Sequence, residues 1–195
     1  MFGEINTAQI AVLEQVQNKY YSDYEHSHSL HVCKLALKLF DLLVPALSWP
    51  SDGRNLLYCA AMLHDVGNYV NEKRHDRHSY YIILNESLLN GWPEKWRVST
   101  ALLAGSHRKK IHPGLDYLEE PEQEVLKHLA AVLRVADALD YYHGQNMDIT
   151  GVEVNAEQVL IRVSGPEFGN LMNRLNSKSQ LLQKCGERPV VFEAE

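Results

Sequence analysis

The sequence predicts a mainly α-helical protein that ends in a small β-β-α-β unit. Apolar residues recur at three- and four-residue spacing through most of the first 145 positions, the period of an amphipathic helix. After Gly144 the pattern changes to alternation, as in Val152-Glu153-Val154, which is typical of strands. We therefore expect a helical domain over residues 1–148 and a small α+β subdomain over residues 149–195.

Six helices are predicted in the first domain, over residues 6–20, 24–44, 52–66, 76–89, 93–107 and 122–143. Asn6 or Thr7 can cap the first helix, and Pro45 together with the Trp49–Gly53 stretch is expected to end the second. The Gly91-Trp92-Pro93 break separates the fourth helix from the fifth, which Pro93 is well placed to start. In the tail, a hairpin over 152–163 is followed by a helix over 167–184 and a last strand over 189–192.

Composition and charge exclude several classes of function. The net charge of −6 argues against general nucleic-acid binding through bulk electrostatics. The apolar stretches fall short of a membrane span, and no signal segment is expected at the start. The three cysteines lie in helical patterns without a disulfide-type spacing, which favours reduced thiols in a cytoplasmic protein. The oligomeric state is left open, a homodimer included.

An adjacent His64-Asp65 pair follows the apolar run of the third helix, and Gly67-Asn68 then turns the chain. An imidazole and a carboxylate on neighbouring residues provide one nitrogen and one oxygen ligand side by side, which suits a divalent metal. Taken alone, such a pair is more often a helix cap that binds backbone amides. Further histidines and an aspartate along the rest of the chain favour the interpretation of this pair as metal ligands.

The candidate metal ligands come from different helices or helix ends of the first domain: His28, His64, Asp65, His78, His107 and Asp137. Six ligands exceed the three or four of one catalytic ion but suit two ions that share a carboxylate. Two such ions can clamp phosphoryl oxygens and lower the pKa of a bridging water, which suits phosphoester hydrolysis. Mn, Fe, Co, Zn and Mg are all compatible with histidine and carboxylate ligands.

Six of the 19 lysines and arginines fall in two clusters, Lys73/Arg74/Arg77 and Arg108/Lys109/Lys110, each beside a candidate histidine. A charge cluster is usually a solvated face, but this arrangement in an acidic protein indicates a local anion site. Arg134 shares a helix face with Asp137 and Asp140, and burying these charges requires partners.

Five sequence motifs together resemble a known family: His28-Ser-Leu-His-Val, Leu63-His-Asp-Val-Gly, Arg77-His-Ser-Tyr-Tyr-Ile, Ser106-His-Arg-Lys-Lys and Leu133-Arg-Val-Ala-Asp-Ala-Leu-Asp. Their order is similar to that of the HD-domain superfamily of metal-dependent phosphohydrolases. Within it, the chain is most similar to the C-terminal HD-like domain of the exopolyphosphatase/guanosine pentaphosphatase (Ppx/GppA) family. The resemblance covers nearly the whole chain and implies an HD-domain helical bundle with the small C-terminal unit.

The resemblance also implies roles for the candidate residues. His28, His64, Asp65 and Asp137 would form a first metal site, with Asp65 as a bridge to a second site. His78 and His107 would complete that second site, and His75 is the reserve ligand if His78 points away. The candidates for phosphate binding are Arg108, Lys109, Lys73 and Arg77, and those for a role at the reacting centre are Asp65, Asn68 and Arg134.

Two departures from the family pattern bear on the function. The glycine-rich phosphate loops of the family's two actin-like N-terminal domains are not in this sequence, so exopolyphosphatase activity of the usual kind is not expected. One-metal HD hydrolases often carry an acid where this chain has Asn68, whose amide cannot transfer a proton. That favours either a two-metal mechanism or a domain that binds without catalysing.

Two hypotheses follow for the function. In the first, the chain is a metal-dependent phosphohydrolase that acts on a nucleotide or another small phosphorylated ligand, through one or two divalent ions. In the second, it is a non-catalytic regulatory module that binds short polyphosphate or guanosine tetra- or pentaphosphate.

Overall fold

A computed structural model describes residues 5–195 and has, within that range, eight α-helices and a three-stranded sheet. The elements are α1 (Thr7–Tyr20), α2 (Asp23–Leu47), α3 (Arg54–Leu63), α4 (His75–Asn85), α5 (Glu94–Gly105), α6 (Glu120–Leu139), β1 (Asp148–Val154), β2 (Val159–Ser164), α7 (Phe168–Lys178), α8 (Gln180–Gly186) and β3 (Val190–Ala194). Short 3₁₀ turns cover Val66–Tyr69, Ser87–Gly91 and Pro113–Tyr117. The predicted class, mainly helical with a small C-terminal sheet, is confirmed. None of these helices combines the length and apolarity that a membrane crossing requires.

The first two helices begin with capping boxes. In each box the N-cap side chain accepts a hydrogen bond from the backbone amide three residues later, and the side chain of that later residue accepts one from the N-cap amide. Asn6 and Gln9 form one box, and Ser22 and Glu25 form the other. Pro45 does not end α2 as predicted, since the helix continues through it to Leu47, just before the Trp49–Gly53 stretch. Pro45 lies in the last turn, where a proline removes a single helical hydrogen bond, and Ser48 caps the helix in the left-handed conformation (φ 55°).

Several helices end earlier than the apolar periodicity predicts. The third helix ends at Leu63, the fifth at Gly105 and the sixth at Leu139, two to four residues before the predicted ends at 66, 107 and 143. The fourth ends at Asn85 and gives way to a 3₁₀ turn. As a consequence, His64 and His107 lie just beyond helix ends, where free backbone carbonyls are within reach of their side chains.

The C-terminal unit has the strand order β1-β2-β3. The strands β1 and β2 form the predicted antiparallel hairpin, and β3 pairs parallel to β2 with Val190 opposite Val159. Alternate residues of β2 are buried, as its sequence pattern predicts. The predicted helix over 167–184 is divided into α7 and α8 at Ser179.

One hydrophobic core runs through all the described elements of both predicted units, from Leu13 in α1 to Phe192 in β3. The helix α6 packs against α2 on one side and against α7 and α8 on another. Because α6 belongs to the helical part and α7 to the C-terminal part, the two share this core. The division at residue 148 stays a prediction.

Gly67 permits a close approach between the turn after α3 and the start of α4. A Cβ atom at this position would lie 2.1 Å from the carbonyl oxygen of His75 and 2.5 Å from the backbone nitrogen of Ser79. The Ser79 hydroxyl fixes the same contact, since it donates to the His64 carbonyl at 2.6 Å and accepts from the Gly67 amide at 2.9 Å. The missing side chain therefore lets α4 lie directly against the His64-Asp65 segment.

We predict that Gly67→Ala lowers the free energy of unfolding by about 2 kcal/mol or more, because the added methyl group meets backbone atoms that cannot rotate away. Gly91→Ala is the matched control, since a Cβ there has open space around it. Its effect should stay within about 0.5 kcal/mol. Urea unfolding of the two variants checks this, and equal effects would contradict the close-approach argument.

Candidate functional site

The ends of several helices bring histidines and aspartates together in the interior of the helical part. Two groups are close enough to hold a metal ion, His28/His64/Asp65 and Asp65/His75/His107, and within each group the ligand atoms lie within 4.8 Å of one another. We call these residues together with Asp137 the histidine cluster. Asp65 belongs to both groups, so it lies between them.

The two carboxylate oxygens of Asp65 face different pairs of histidines. Its Oδ2 lies 3.8 Å from the Nε2 of His28 and 3.6 Å from that of His64. Its Oδ1 lies 3.1 Å from the Nε2 of His75 and 3.4 Å from that of His107. This is the arrangement expected of a carboxylate that could be shared between two ions.

Asp137 on α6 completes the first group from the opposite side. Its Oδ1 lies 3.9 Å from the Nε2 of His28 and 4.0 Å from that of His64. Its Oδ2 accepts a hydrogen bond from the Lys178 ammonium on α7 at 2.7 Å. One oxygen of Asp137 therefore faces the histidines while the other is held by the C-terminal unit.

Three of the histidines are oriented by the same local hydrogen bond. The Nδ1 of His64 is 2.8 Å from the carbonyl of Ala61, that of His75 is 3.0 Å from Glu72, and that of His107 is 2.6 Å from Ala104, in each case three residues earlier. A carbonyl only accepts, so Nδ1 carries the proton. In the neutral ring this leaves the lone pair on Nε2, the nitrogen that faces Asp65.

His28 is oriented by a carboxylate instead. Its Nδ1 lies 2.8 Å from the Oδ2 of Asp140, and the other oxygen of Asp140 accepts from the Gln145 amide at 2.8 Å. The ring of His143 stacks on His28 with centroids 3.8 Å apart, and Tyr24 stacks on the outer face of His143. A metal-binding histidine commonly donates its second nitrogen to a carboxylate in this way.

The Nε2 atoms of His28 and His64 are buried without a hydrogen bond among the described residues. The Nε2 of His75 lies 2.9 Å from that of His107 and 3.1 Å from the Oδ1 of Asp65. In the neutral tautomers described above, lone pairs therefore face one another at this point. Two ligands of one ion, each about 2.1 Å from it, can be at most about 4.2 Å apart. The donor set therefore fits divalent cations, which the Nε2 and carboxylate lone pairs can coordinate.

The electrostatics of the cluster keep Asp65 ionised and two of its histidines neutral at neutral pH. Burial lowers the pKa of His107 to about 3 and also lowers the pKa of His64, so both rings are neutral. Burial alone raises the pKa of Asp65, but His64, His75 and His107 outweigh it and hold that pKa well below its usual value. Asp65 is therefore ionised although it is buried. Burial lowers the pKa of His28 and of His75, but the Asp140 and Asp65 carboxylates outweigh it and raise both pKa values, so a cation competes with a proton at these two rings.

The structure brings His75, and not His78, to Asp65. His75 is the first residue of α4, while His78 lies one turn further on, where its Cβ would be 2.8 Å from a Cβ on Gly67. His78 packs behind the turn and belongs to neither metal-type group. His75, the reserve ligand, therefore lies beside Asp65, where the resemblance implied His78.

The predicted phosphate-binding residues are only partly brought to the cluster. A cavity of about 380 Å³, which we call the central cavity, is lined by Asp65, Asn68, His75, His107, Arg108 and Asp137, among others. Lys109 lies in a neighbouring cavity. Arg77 lines a different cleft beside His112, and Lys73 is exposed and lines none of the described cavities near the cluster. Arg134 is buried and donates from Nε to the Ser106 carbonyl at 2.8 Å.

Sequence reasoning missed three charged residues of the site. Asp140 forms a hydrogen bond with the Nδ1 of His28, and Lys178 donates one to Asp137. Arg174 lines the central cavity. The spacing of Asp140 after Asp137 is a signal that it needs a buried partner, although it does not say which. Lys178 and Arg174 come from α7, whose position against α6 has no signature in the sequence.

The fold and the cluster define a helical domain with a candidate metal centre built from histidine and aspartate. Residues 9–183 match the family model described as Ppx/GppA phosphatase, domain III, and the chain therefore belongs to that family. It is also 27% identical over 144 residues to a guanosine-5′-triphosphate,3′-diphosphate pyrophosphatase of Pseudoalteromonas atlantica. That alignment covers 73% of this chain but only 28% of the relative. The predicted similarity to the Ppx/GppA family is confirmed.

We predict that the chain, stripped of metal, reloaded with Mn²⁺ and desalted, retains two ions. Asp65→Asn should lose both ions, because its oxygens face both histidine pairs, whereas His75→Gln should lose one. Metal content measured by plasma mass spectrometry checks this. His78→Gln is the matched control and should keep both ions. Equal losses for Asp65→Asn and His75→Gln would contradict the shared position of Asp65.

Proposed function

We infer that the chain is a metal-dependent phosphohydrolase of the HD type, acting on a nucleotide or another small phosphate ester or anhydride. The observation that carries this proposal is the position of Asp65, whose two oxygens face two pairs of histidine Nε2 atoms. Membership of a phosphatase family supports the reaction class. The named activity of the aligned relative supports a phosphorylated nucleotide as a substrate.

In this proposal the chain's own residues hold the cations and arrange the substrate. His28, His64, Asp65 and Asp137 would hold one ion, and Asp65, His75 and His107 the other. When bound, Mn, Fe, Co, Zn or Mg ions supply Lewis-acid polarisation of phosphoryl oxygens and lower the pKa of water. Asp140 keeps the Nδ1 proton of His28 in place, which keeps its Nε2 free to act as a ligand.

Positive charge at the central cavity suits a phosphate. Arg108 and Lys178 both line it, and the Arg108 guanidinium can donate two parallel hydrogen bonds to one phosphoryl group. Asn68 also lines the cavity, and its amide can orient water or a phosphate oxygen. The side chains would therefore position the phosphoryl group, while proton transfer would fall to groups other than Asn68.

One observation favours a second candidate function, a regulatory module that binds polyphosphate or guanosine tetra- or pentaphosphate without cleaving it. Asn68 stands where an acid could have acted, and its amide neither gives nor takes a proton at neutral pH. The chain also corresponds to only 28% of the aligned relative. A module of this kind would use the same central cavity for binding.

Release of phosphate from nucleoside triphosphates and of p-nitrophenolate from bis(p-nitrophenyl) phosphate, each measured with and without Mn²⁺, separates the two functions. We expect release that requires the cation and that falls by about 10–100-fold in Asp140→Asn, because His28 loses its orienting partner. Asp41→Asn removes a carboxylate that pairs with Arg54 at the surface and is the matched control. It should keep full activity.

Two results would contradict an enzyme that acts at the histidine cluster. Binding of the nucleotide without release under any of these conditions would support the regulatory module. Release that is equal in Asp140→Asn and in the unmodified chain would place the reaction away from the histidine cluster.

A further inference from the structure

Lys178 lies on the buried face of α7. The buried residues of this helix are Leu171 and Leu175, and Lys178 follows them at the spacing of one helical face. Only 13% of the Lys178 side chain is exposed. A lysine is rarely buried to this extent unless a charged partner lies beside it. Its position therefore differs from that of a lysine on a solvated helix face.

The partners of Lys178 belong to the histidine cluster. Its ammonium group donates to the Oδ2 of Asp137 at 2.7 Å and to the backbone carbonyl of His107 at 3.4 Å. An ammonium group has three N–H donors, so at most one is left for another acceptor. Lys178 therefore joins the end of α7 both to α6 and to the segment after α5.

Lys178 supplies the closest positive charge to Asp137. Among residues 5–195, it is the only lysine or arginine that forms an ion pair with Asp65 or Asp137. Burial raises the pKa of the Asp137 carboxyl, but Lys178, followed by His107 and His64, outweighs burial and lowers that pKa. Asp137 is therefore ionised in the metal-free chain, with the Lys178 ammonium as its partner.

The two oxygens of Asp137 are divided between Lys178 and the histidines. Oδ2 accepts from Lys178, whereas Oδ1 faces the Nε2 of His28 at 3.9 Å and that of His64 at 4.0 Å. A carboxylate can bind a divalent ion through one oxygen or through both. Here only Oδ1 remains for the ion. An ammonium group and a divalent ion on the same carboxylate repel each other, and buried surroundings screen that repulsion weakly.

We propose that Lys178 is a positioning residue and the built-in counter-ion of Asp137. It holds Oδ2 so that Asp137 offers a single oxygen to the first metal site, and its charge lowers the affinity of that site for a divalent ion. It also gives a buried carboxylate a partner in the metal-free chain. The effect on metal affinity rests on the proposed function, whereas the counter-ion role concerns the metal-free chain alone. Through Lys178, α7 sets how readily the site binds and releases its ion.

Titration of the metal-stripped chain with Mn²⁺, followed by the electron paramagnetic resonance of the free ion, measures the effect on affinity. Lys178→Met removes the charge from a side chain of similar length, and we expect it to bind at least one Mn²⁺ about tenfold more tightly than the unmodified chain does. Lys178→Arg keeps the charge and should stay within about threefold of the unmodified chain. Lys184→Met removes the same charge from an exposed position on α8 and is the matched control, with no change expected.

Urea unfolding of the same variants without metal measures the counter-ion role. Lys178→Met leaves Asp137 as an unpaired buried charge, and its urea midpoint should fall by about 1 M or more. Adding Asp137→Asn removes that charge, so the double variant should regain about half of the loss or more. Folding of the double variant where Lys178→Met alone does not fold is the same result in a stronger form. Lys184→Met should keep the midpoint of the unmodified chain.

Two results would overturn the inference. Unchanged or weaker Mn²⁺ binding by Lys178→Met would do so, because a lysine that only supports the fold, or only contacts the substrate, does not lower the affinity for a cation. A double variant no more stable than Lys178→Met would show that Lys178 is not the counter-ion of Asp137. If the unmodified chain bound no Mn²⁺, the proposed function would fail instead, and the unfolding comparison would still decide the counter-ion role.

Discussion

The hydrogen bonds that the histidines make through Nδ1 are the interaction on which the site depends. Helix-end carbonyls bind this nitrogen in His64 and His107, and the Asp140 carboxylate binds it in His28. Each bond costs the fold little, because carbonyls at helix ends need a donor in any case. Each also fixes which ring nitrogen faces the interior. The arrangement of Nε2 atoms around Asp65 is thus a consequence of where the helices end.

Packing elsewhere in the fold also helps to place the histidines around Asp65. Gly67 lets the start of α4 lie against the segment after α3, which carries His75 to within 3.1 Å of the Asp65 carboxylate. Two ionised aspartates in a buried cluster are costly without positive charge nearby, and Lys178 supplies one such charge at Asp137. The remaining negative charge and the Nε2 atoms of His75 and His107 beside it suit divalent cations. The C-terminal unit is therefore part of the site, since α7 provides Lys178 and Arg174.

Much of this could be predicted from the sequence, for identifiable reasons. The periodicity located the six helices of the helical part, and the motifs around His28, His64, His107 and Asp137 carried the resemblance that the family match confirms. The choice of His78 over His75 followed a motif. Which of the two rings faces Asp65 depends on how α4 packs against the turn after α3, which apolar periodicity does not give, and only the structure shows the contact between His75 and Asp65.

The contribution of α7 could not be predicted for a different reason. Lys178 and Arg174 lie in a polar, amphipathic helix whose charges look like an ordinary solvated face in the sequence. Their role follows from the packing of α7 against α6, a contact between segments about 40 residues apart in the chain. In the same way, Lys73 and Arg77 formed a convincing basic cluster in the sequence. Lys73 lies before α4 and Arg77 in its first turn, and neither lines the central cavity.

Nitrogen-15 NMR of the imidazole rings in the metal-free chain at pH 7.5 tests the central claim most directly. The lowered pKa values of His64 and His107 make both rings neutral at this pH. Their bonds to the Ala61 and Ala104 carbonyls place the proton on Nδ1. The account predicts a protonated Nδ1 and an unprotonated Nε2 in both residues. A proton on Nε2 of either ring would contradict it, because that nitrogen could not then act as a metal ligand.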